Sequence, residues 1–175
     1  MENLQLPIQC VKTKFEDFEF IKPFILNLLT APDPDPHDTL SEVDWNQSQD
    51  FNRPWVKYLI PHLSYNLTKL AKSLNYSNIQ IANIWYQRYE STDFHSWHTH
   101  SNHYTGVFYI EKPKSTPPTQ LSFGNDIIDL EASEGDIIIF PSLVVHRSPV
   151  NTSNEIKTII SFNFNINADG HNFPK

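Results

Sequence analysis

A single cysteine, four glycines and no cluster of lysine or arginine mark this chain of 175 residues. One thiol, Cys10, excludes an internal disulfide framework. A chain of this length buries a core without one, which fits a reducing compartment. The formal net charge of −7, with cations scattered rather than grouped, leaves no electrostatic footprint for nucleic acid. No apolar run approaches the ~20 residues of a bilayer span. The opening residues, Met-Glu-Asn-Leu-Gln, have neither the positive flank nor the apolar stretch of a signal peptide. These absences predict a soluble, cytoplasmic, single-domain protein with no nucleic-acid or membrane partner. They do not fix an oligomeric state.

Thirteen prolines and an aromatic content of 13% suit a strand-rich body with stiff connections. Residues 5–12 read as an edge strand, because Pro7 lacks the N–H that a central strand needs. Phe15, Phe18, Ile21, Phe24, Ile25 and Leu28 recur at helical spacing over 15–29, with Pro23 expected to end or kink that helix. Residues 31–37, Ala-Pro-Asp-Pro-Asp-Pro-His, form a turn-rich solvated connection or a lid. A second helix is predicted over 54–74, where Val56, Leu59, Ile60, Leu63, Leu67, Leu70, Ala71 and Leu74 share one face and Pro61 marks a kink. From Ile79 the period changes to two, placing Ile79, Ile81, Trp85 and Tyr89 at alternate positions. Strands follow over 104–111, 119–124, 126–130, 136–140, 143–146 and 156–166. Short strands in this sequence predict a mainly β fold: a jelly-roll (cupin-like) double-stranded β-helix over 78–167, buttressed by an N-terminal strand and helices over 1–77, with 168–175 as a tail.

Four of the eight histidines, His95, His98, His100 and His103, fall within nine residues. In the triplet His98-Thr-His100 both imidazoles point to one face of an extended backbone and can share an ion. Gly135-Asp-Ile-Ile-Ile-Phe-Pro-Ser then leads to His146, a distant ligand that a barrel returns to the doublet. Three imidazoles on one face of a metal leave the remaining positions open. His95 and His103 read as supporting or surface residues, and His37, His62 and His171 have no context.

The last strand alternates sharply. Ile156, Ile160, Phe162, Phe164 and Ile166 form an apolar face, whereas Lys157, Ser161 and Asn163, with Ile159, form the other. A lysine and a serine four residues apart on one face can grip a carboxylate by charge and by hydrogen bond. Trp85 and Trp97 flank the histidines as core aromatics or as surfaces on which a substrate ring stacks.

The series His98-Thr-His100, Tyr104-Thr-Gly-Val-Phe-Tyr109, Gly135 to Ser142, His146 and Lys157 to Asn163 resembles the Fe(II)- and 2-oxoglutarate-dependent oxygenases, in particular their small prolyl-4-hydroxylase-like and phage-encoded members. The match covers roughly residues 79–166, half the chain. The resemblance implies that His98 and His146 are the first and distal iron ligands. It makes Lys157 the partner of the far carboxylate of 2-oxoglutarate, gives Ser161 and Tyr109 hydroxyls on that carboxylate, and places Tyr89 in the wall of the co-substrate pocket. It also implies Fe(II), 2-oxoglutarate and O₂ as cofactors, hydroxylation of a C–H bond as the reaction, and a prolyl or other amino-acid side chain, free or in a peptide, as substrate. His100 departs from the pattern, since an acidic residue is usual there; Asp93, five residues before His98, is a substitute off that face.

Two other readings use the same residues. Imidazole suits zinc equally, so a zinc-holding or metal-free jelly-roll module that binds a ligand without turnover is one. A three-histidine dioxygenase that uses no oxo-acid is the other. The loops over 31–54 and 111–119 are expected to set the substrate.

Overall fold

The computed structural model describes residues 10–29, 41–73, 76 and 78–167. The N-terminal part of the expected edge strand, the 31–37 connection and the 168–175 tail lie outside them. In chain order the elements are β1 (Val11–Lys14), α1 (Phe18–Leu28), β2 (Glu42–Val43), a 3₁₀ turn (Trp45–Gln47), α2 (Pro54–Ser73), β3 (Asn78–Tyr89), β4 (His95–His98), β5 (Tyr104–Glu111), β6 (Thr119–Phe123), β7 (Asp126–Leu130), β8 (Asp136–Pro141), β9 (Val145–Ser148) and β10 (Lys157–Asn167). All pairings are antiparallel. They build a six-stranded sheet ordered β1-β8-β5-β10-β3-β2 and a four-stranded sheet ordered β4-β9-β6-β7. This is the double-stranded β-helix expected from the strand pattern, with β1 at a sheet edge.

The larger sheet is covered on both faces, which explains why its strands read as nearly unbroken apolar runs. Ile137, Ile139, Phe108, Ile110, Ile160, Phe162 and Phe164 pack outward against Ile21, Ile25, Leu59, Leu63 and Leu67 of the helices. Ile138, Phe140, Val107, Tyr109 and Ile159 point inward, with Leu121 and Leu130, between the sheets. Each such side chain contributes about 1.5–3 kcal/mol by leaving water, so the helices are structural braces for the larger sheet, whose other face looks toward the strands β4 and β9.

Both helices run through their prolines, Pro23 in α1 and Pro61 in α2, so α1 does not end at Pro23. A proline removes one i→i−4 hydrogen bond, while the fully buried Ile21 and Ile25 on one side and Leu59 and Leu63 on the other hold each helix to the sheet. Helix α1 starts at Phe18, not Phe15, because Asp17 takes a left-handed turn with φ 62°. Phe15 reaches the core from before the helix and stacks on Phe108, and Phe24 is exposed.

The alternation expected along β3 is also interrupted. Asn163 pairs with Asn83 but Phe164 pairs with Ile81, so Ala82 is an extra, bulged residue. A bulge switches the face presented by every later residue. Ile79 and Ile81 therefore pack with the helices, as do Ile84 and Tyr86, while Asn83, Trp85, Gln87 and Tyr89 face the interior of the barrel. The strand around His146 begins at Val145 rather than 143, because Ser142 to Val144 form a turn in which the Val144 N–H donates to Pro141 O at 3.0 Å.

Candidate metal centre

Strand register brings the histidines together. His98, the last residue of β4, is the cross-strand partner of His146 on β9. His100, just beyond the strand, is held by its backbone N–H, which donates to Ser142 O at 2.9 Å. Ring centroids lie 4.1 Å apart for His98 and His146, 5.0 Å for His98 and His100, and 5.1 Å for His100 and His146. One nitrogen from each of the three lies within 4.8 Å of the others, and no further histidine, cysteine or carboxylate joins this group among the described residues.

Hydrogen bonding selects the free nitrogens. His98 Nδ1 lies 2.7 Å from Ser96 O and His146 Nδ1 lies 2.9 Å from Val144 O. A carbonyl only accepts, so each Nδ1 carries the hydrogen and each Nε2 keeps its lone pair. The Nε2 of His100 is buried with no hydrogen-bond partner. Burial lowers the pKa of all three imidazoles, to about 4 for His100 and about 3 for His146, with the neighbouring histidines adding to the depression of both. Three neutral nitrogen donors, one of them an orphaned buried atom, fit a divalent metal such as Fe(II) or Zn(II).

The other expected residues divide. Lys157 is fully buried. Its Nζ donates to Ser148 Oγ at 2.5 Å and to Pro117 O at 3.2 Å, and lies 4.6 Å from the centre of the Tyr89 ring. No carboxylate pairs with it among the described residues, and burial, with Lys112 nearby, lowers its pKa to about 7. Ser161 and Tyr89 line the same pocket as the three histidines. Tyr109 is buried beside it, its hydroxyl donating to Thr119 Oγ1 at 2.9 Å. Asn163 faces the barrel interior, but its Oδ1 accepts from Thr105 Oγ1 at 2.8 Å in a chain that continues to Ser142.

Asp93 lies apart, capping the β3–β4 turn by accepting from the Glu90 N–H at 2.8 Å. His95 packs edge-on against the His98 ring at 4.2 Å. Trp97 points to the outer face of the small sheet beneath Arg147, whereas Trp85 meets the His100 ring at 5.4 Å. Two participants escaped the sequence reading. Ser148 was available to it, since two residues after His146 it must share that strand's inward face. Trp45 sits in a 3₁₀ turn without periodicity, yet its ring lies 6.1 Å from His100 and 4.5 Å from Trp85.

No family model and no curated protein matches the sequence. Solved structures match over most of its length. The viral collagen prolyl hydroxylase of Paramecium bursaria Chlorella virus 1, in complex with 2-oxoglutarate, superposes with a TM-score of 0.62 at 12% identity, covering 89% of this chain and 94% of that one. A Pseudomonas putida prolyl-4-hydroxylase gives 0.58 at 13% identity, with 89% and 91% covered. HygX from Streptomyces hygroscopicus, with nickel, 2-oxoglutarate and hygromycin B bound, gives 0.64 at 9% identity, with 89% and 82% covered. The chain has the double-stranded β-helix fold of the 2-oxoglutarate- and Fe(II)-dependent oxygenases, and its three histidines stand together inside that fold as a group able to hold a metal.

Proposed function

We propose that this protein is a non-haem Fe(II)- and 2-oxoglutarate-dependent dioxygenase that hydroxylates a C–H bond of a small-molecule or peptide substrate. The observation that carries the reading is Lys157, a fully buried amine beside the three-histidine group with no carboxylate partner among the described residues. Burying an uncompensated cation is costly, and the cost is offset when an anion enters. Lys157 reaches Ser148, two residues along β9 from His146, a strand advance of roughly 6.6 Å. That separation suits a five-carbon dicarboxylate anchored by one end at the metal and by the other at the amine.

His98, His100 and His146 would hold the iron through neutral nitrogens. Lys157, with the Ser148 hydroxyl beside it, would bind the distal carboxylate, and Tyr89, Val107 and Ile159 would keep water from it. Bound iron with 2-oxoglutarate and O₂ supplies the oxidation, in which one oxygen atom enters the substrate C–H bond and the other leaves in succinate, with release of CO₂. With three neutral ligands the ion keeps its full 2+ charge, which strengthens its hold on the dianionic co-substrate.

Anaerobic titration with Fe(II) and then 2-oxoglutarate is expected to give a weak visible charge-transfer band. Absence of the band, together with no iron-dependent succinate formation in air, refutes the reading. Oxygen uptake without succinate would indicate a three-histidine dioxygenase instead, and tight zinc binding without 2-oxoglutarate binding a non-catalytic module.

A further inference from the structure

We propose that the open cleft outside the metal centre is a binding site for an uncharged saccharide ring, so that the substrate is a neutral glycoside or sugar rather than the amino-acid side chain implied by family resemblance. The proposal rests on the dioxygenase reading for its reaction, but not for the binding itself.

The cleft, of about 970 Å³, opens over Trp45, Gln49, Asn83, Thr99, His100 and Asn102. Apart from the histidine every polar group there is a neutral amide or hydroxyl, and none of the described residues lining it is charged. A free amino acid would leave its ammonium and carboxylate without counter-charges, and a phosphorylated ligand would leave its phosphate so; both lose against water in such a site. The side chains of Gln49, Asn83 and Thr99 make no hydrogen bond within the described residues, although Asn83 is half-buried. Amides and hydroxyls both donate and accept, as sugar hydroxyls do.

An apolar platform completes the match. Trp45 is 46% exposed and stands at 86° to the buried Trp85, so nearly half of this side chain's surface is open beside the unpaired amides and next to His100. The flat C–H face of a pyranose stacks on such a surface while its rim hydroxyls meet the polar groups. The fold fixes this corner firmly. Asp44, next to Trp45, is buried and accepts hydrogen bonds from Arg53, from Trp55 Nε1 at 3.1 Å and from the Tyr86 N–H at 2.9 Å, and past the bulge at Ala82 the strand turns Asn83 toward the cleft.

The test uses the full chain without added metal. A neutral-glycan array selects ligands, and tryptophan fluorescence and calorimetry then measure the best of them beside glucosamine, glucuronic acid, free proline and a blocked neutral tripeptide. At least one neutral glycan is expected to bind and to shift tryptophan emission, with charged sugars at least ~10-fold weaker, a difference of about 1.4 kcal/mol. Trp45→Ala and Asn83→Asp are each expected to weaken binding by ~10-fold or more, with Trp45→Phe staying within about threefold of wild type; circular dichroism checks that each variant is folded. A nickel(II) titration of the same samples reads the histidine centre separately, so loss of the metal reading and loss of the saccharide reading are distinguishable. Preference for the blocked peptide, for proline or for a charged sugar, or no neutral glycan bound by the wild type, overturns the proposal.

Discussion

His98 and His146 are direct cross-strand partners in the β4–β9 ladder, with ring centroids 4.1 Å apart and each Nδ1 tied to the carbonyl two residues before it. Register, rather than loop conformation, therefore sets two thirds of the proposed ligand set. His98→Ala and His146→Ala are each expected to weaken metal binding by more than the ~10–100-fold typical of losing an outer-shell partner. His100→Ala should behave the same way, and His100→Asp should retain the metal. Calorimetry with Ni(II) or Fe(II) measures this; retention of metal by His100→Ala would remove His100 from the set.

The imidazoles are held neutral by burial, and the consequence for pH is definite. Below the ordinary histidine value of 6.5 the unfolded chain takes up protons that the folded chain refuses until about pH 4 at His100 and about pH 3 at His146. The unfolded state then binds more protons, so the metal-free protein loses stability as pH falls through that window. Urea midpoints are expected to decline from pH 6.5 to pH 4, and a flat profile would contradict the burial of these rings.

Lys157 carries the same sign at higher pH. Its folded pKa of about 7, against 10.5 when unfolded, means that between those values the unfolded chain holds the extra proton. Stability should rise with pH across this window by up to ~1.4 kcal/mol per pH unit. Lys157→Met is expected to remove that slope, to stabilise the ligand-free protein at pH 7, and to abolish 2-oxoglutarate binding while leaving metal binding intact. A residue present for stability would give the opposite result at pH 7.

Gly106 lies opposite Phe162 in the β5–β10 ladder, and a Cβ there would stand 2.2 Å from the end of the Phe162 ring. Phe162 is fully buried against the helices, so its ring has no free space to retreat into. Gly106→Ala is expected to cost about 1–3 kcal/mol or more by overpacking, read as a lower urea midpoint, with partial recovery in the double variant carrying Phe162→Leu.

The Asp44–Arg53 ion pair is buried, and Arg53 also donates to Ile84 O at 2.6 Å. Asp44→Ala would strand the guanidinium in the interior and is expected to destabilise the fold by about 3–5 kcal/mol. Because the pair anchors the turn bearing Trp45, the emission of that indole should also shift toward the solvent-exposed spectrum at temperatures where the variant remains folded.

Period and composition in the sequence determined the strand-rich fold, both helices and, to within two residues, the strands from Tyr104 onward, but not β4. Alternation along β10 alone separated the apolar residues Ile160, Phe162 and Phe164 from Lys157, Ser161 and Asn163, since a strand has only two faces. The cluster around His98 and the approach to His146 were legible for the same local reason. Tertiary structure decided what depends on contacts between distant segments. The bulge at Ala82 appears only in the pairing of β3 with β10, and across it Trp85 and Asn83 face inward while Ile79 and Ile81 face the helices. Trp45 reaches His100 because Asp44 is held by Arg53, Trp55 and Tyr86, partners 9 to 42 residues away. Local periodicity carries no information about partners that far along the chain, so only the folded barrel brings the tryptophan to the histidines.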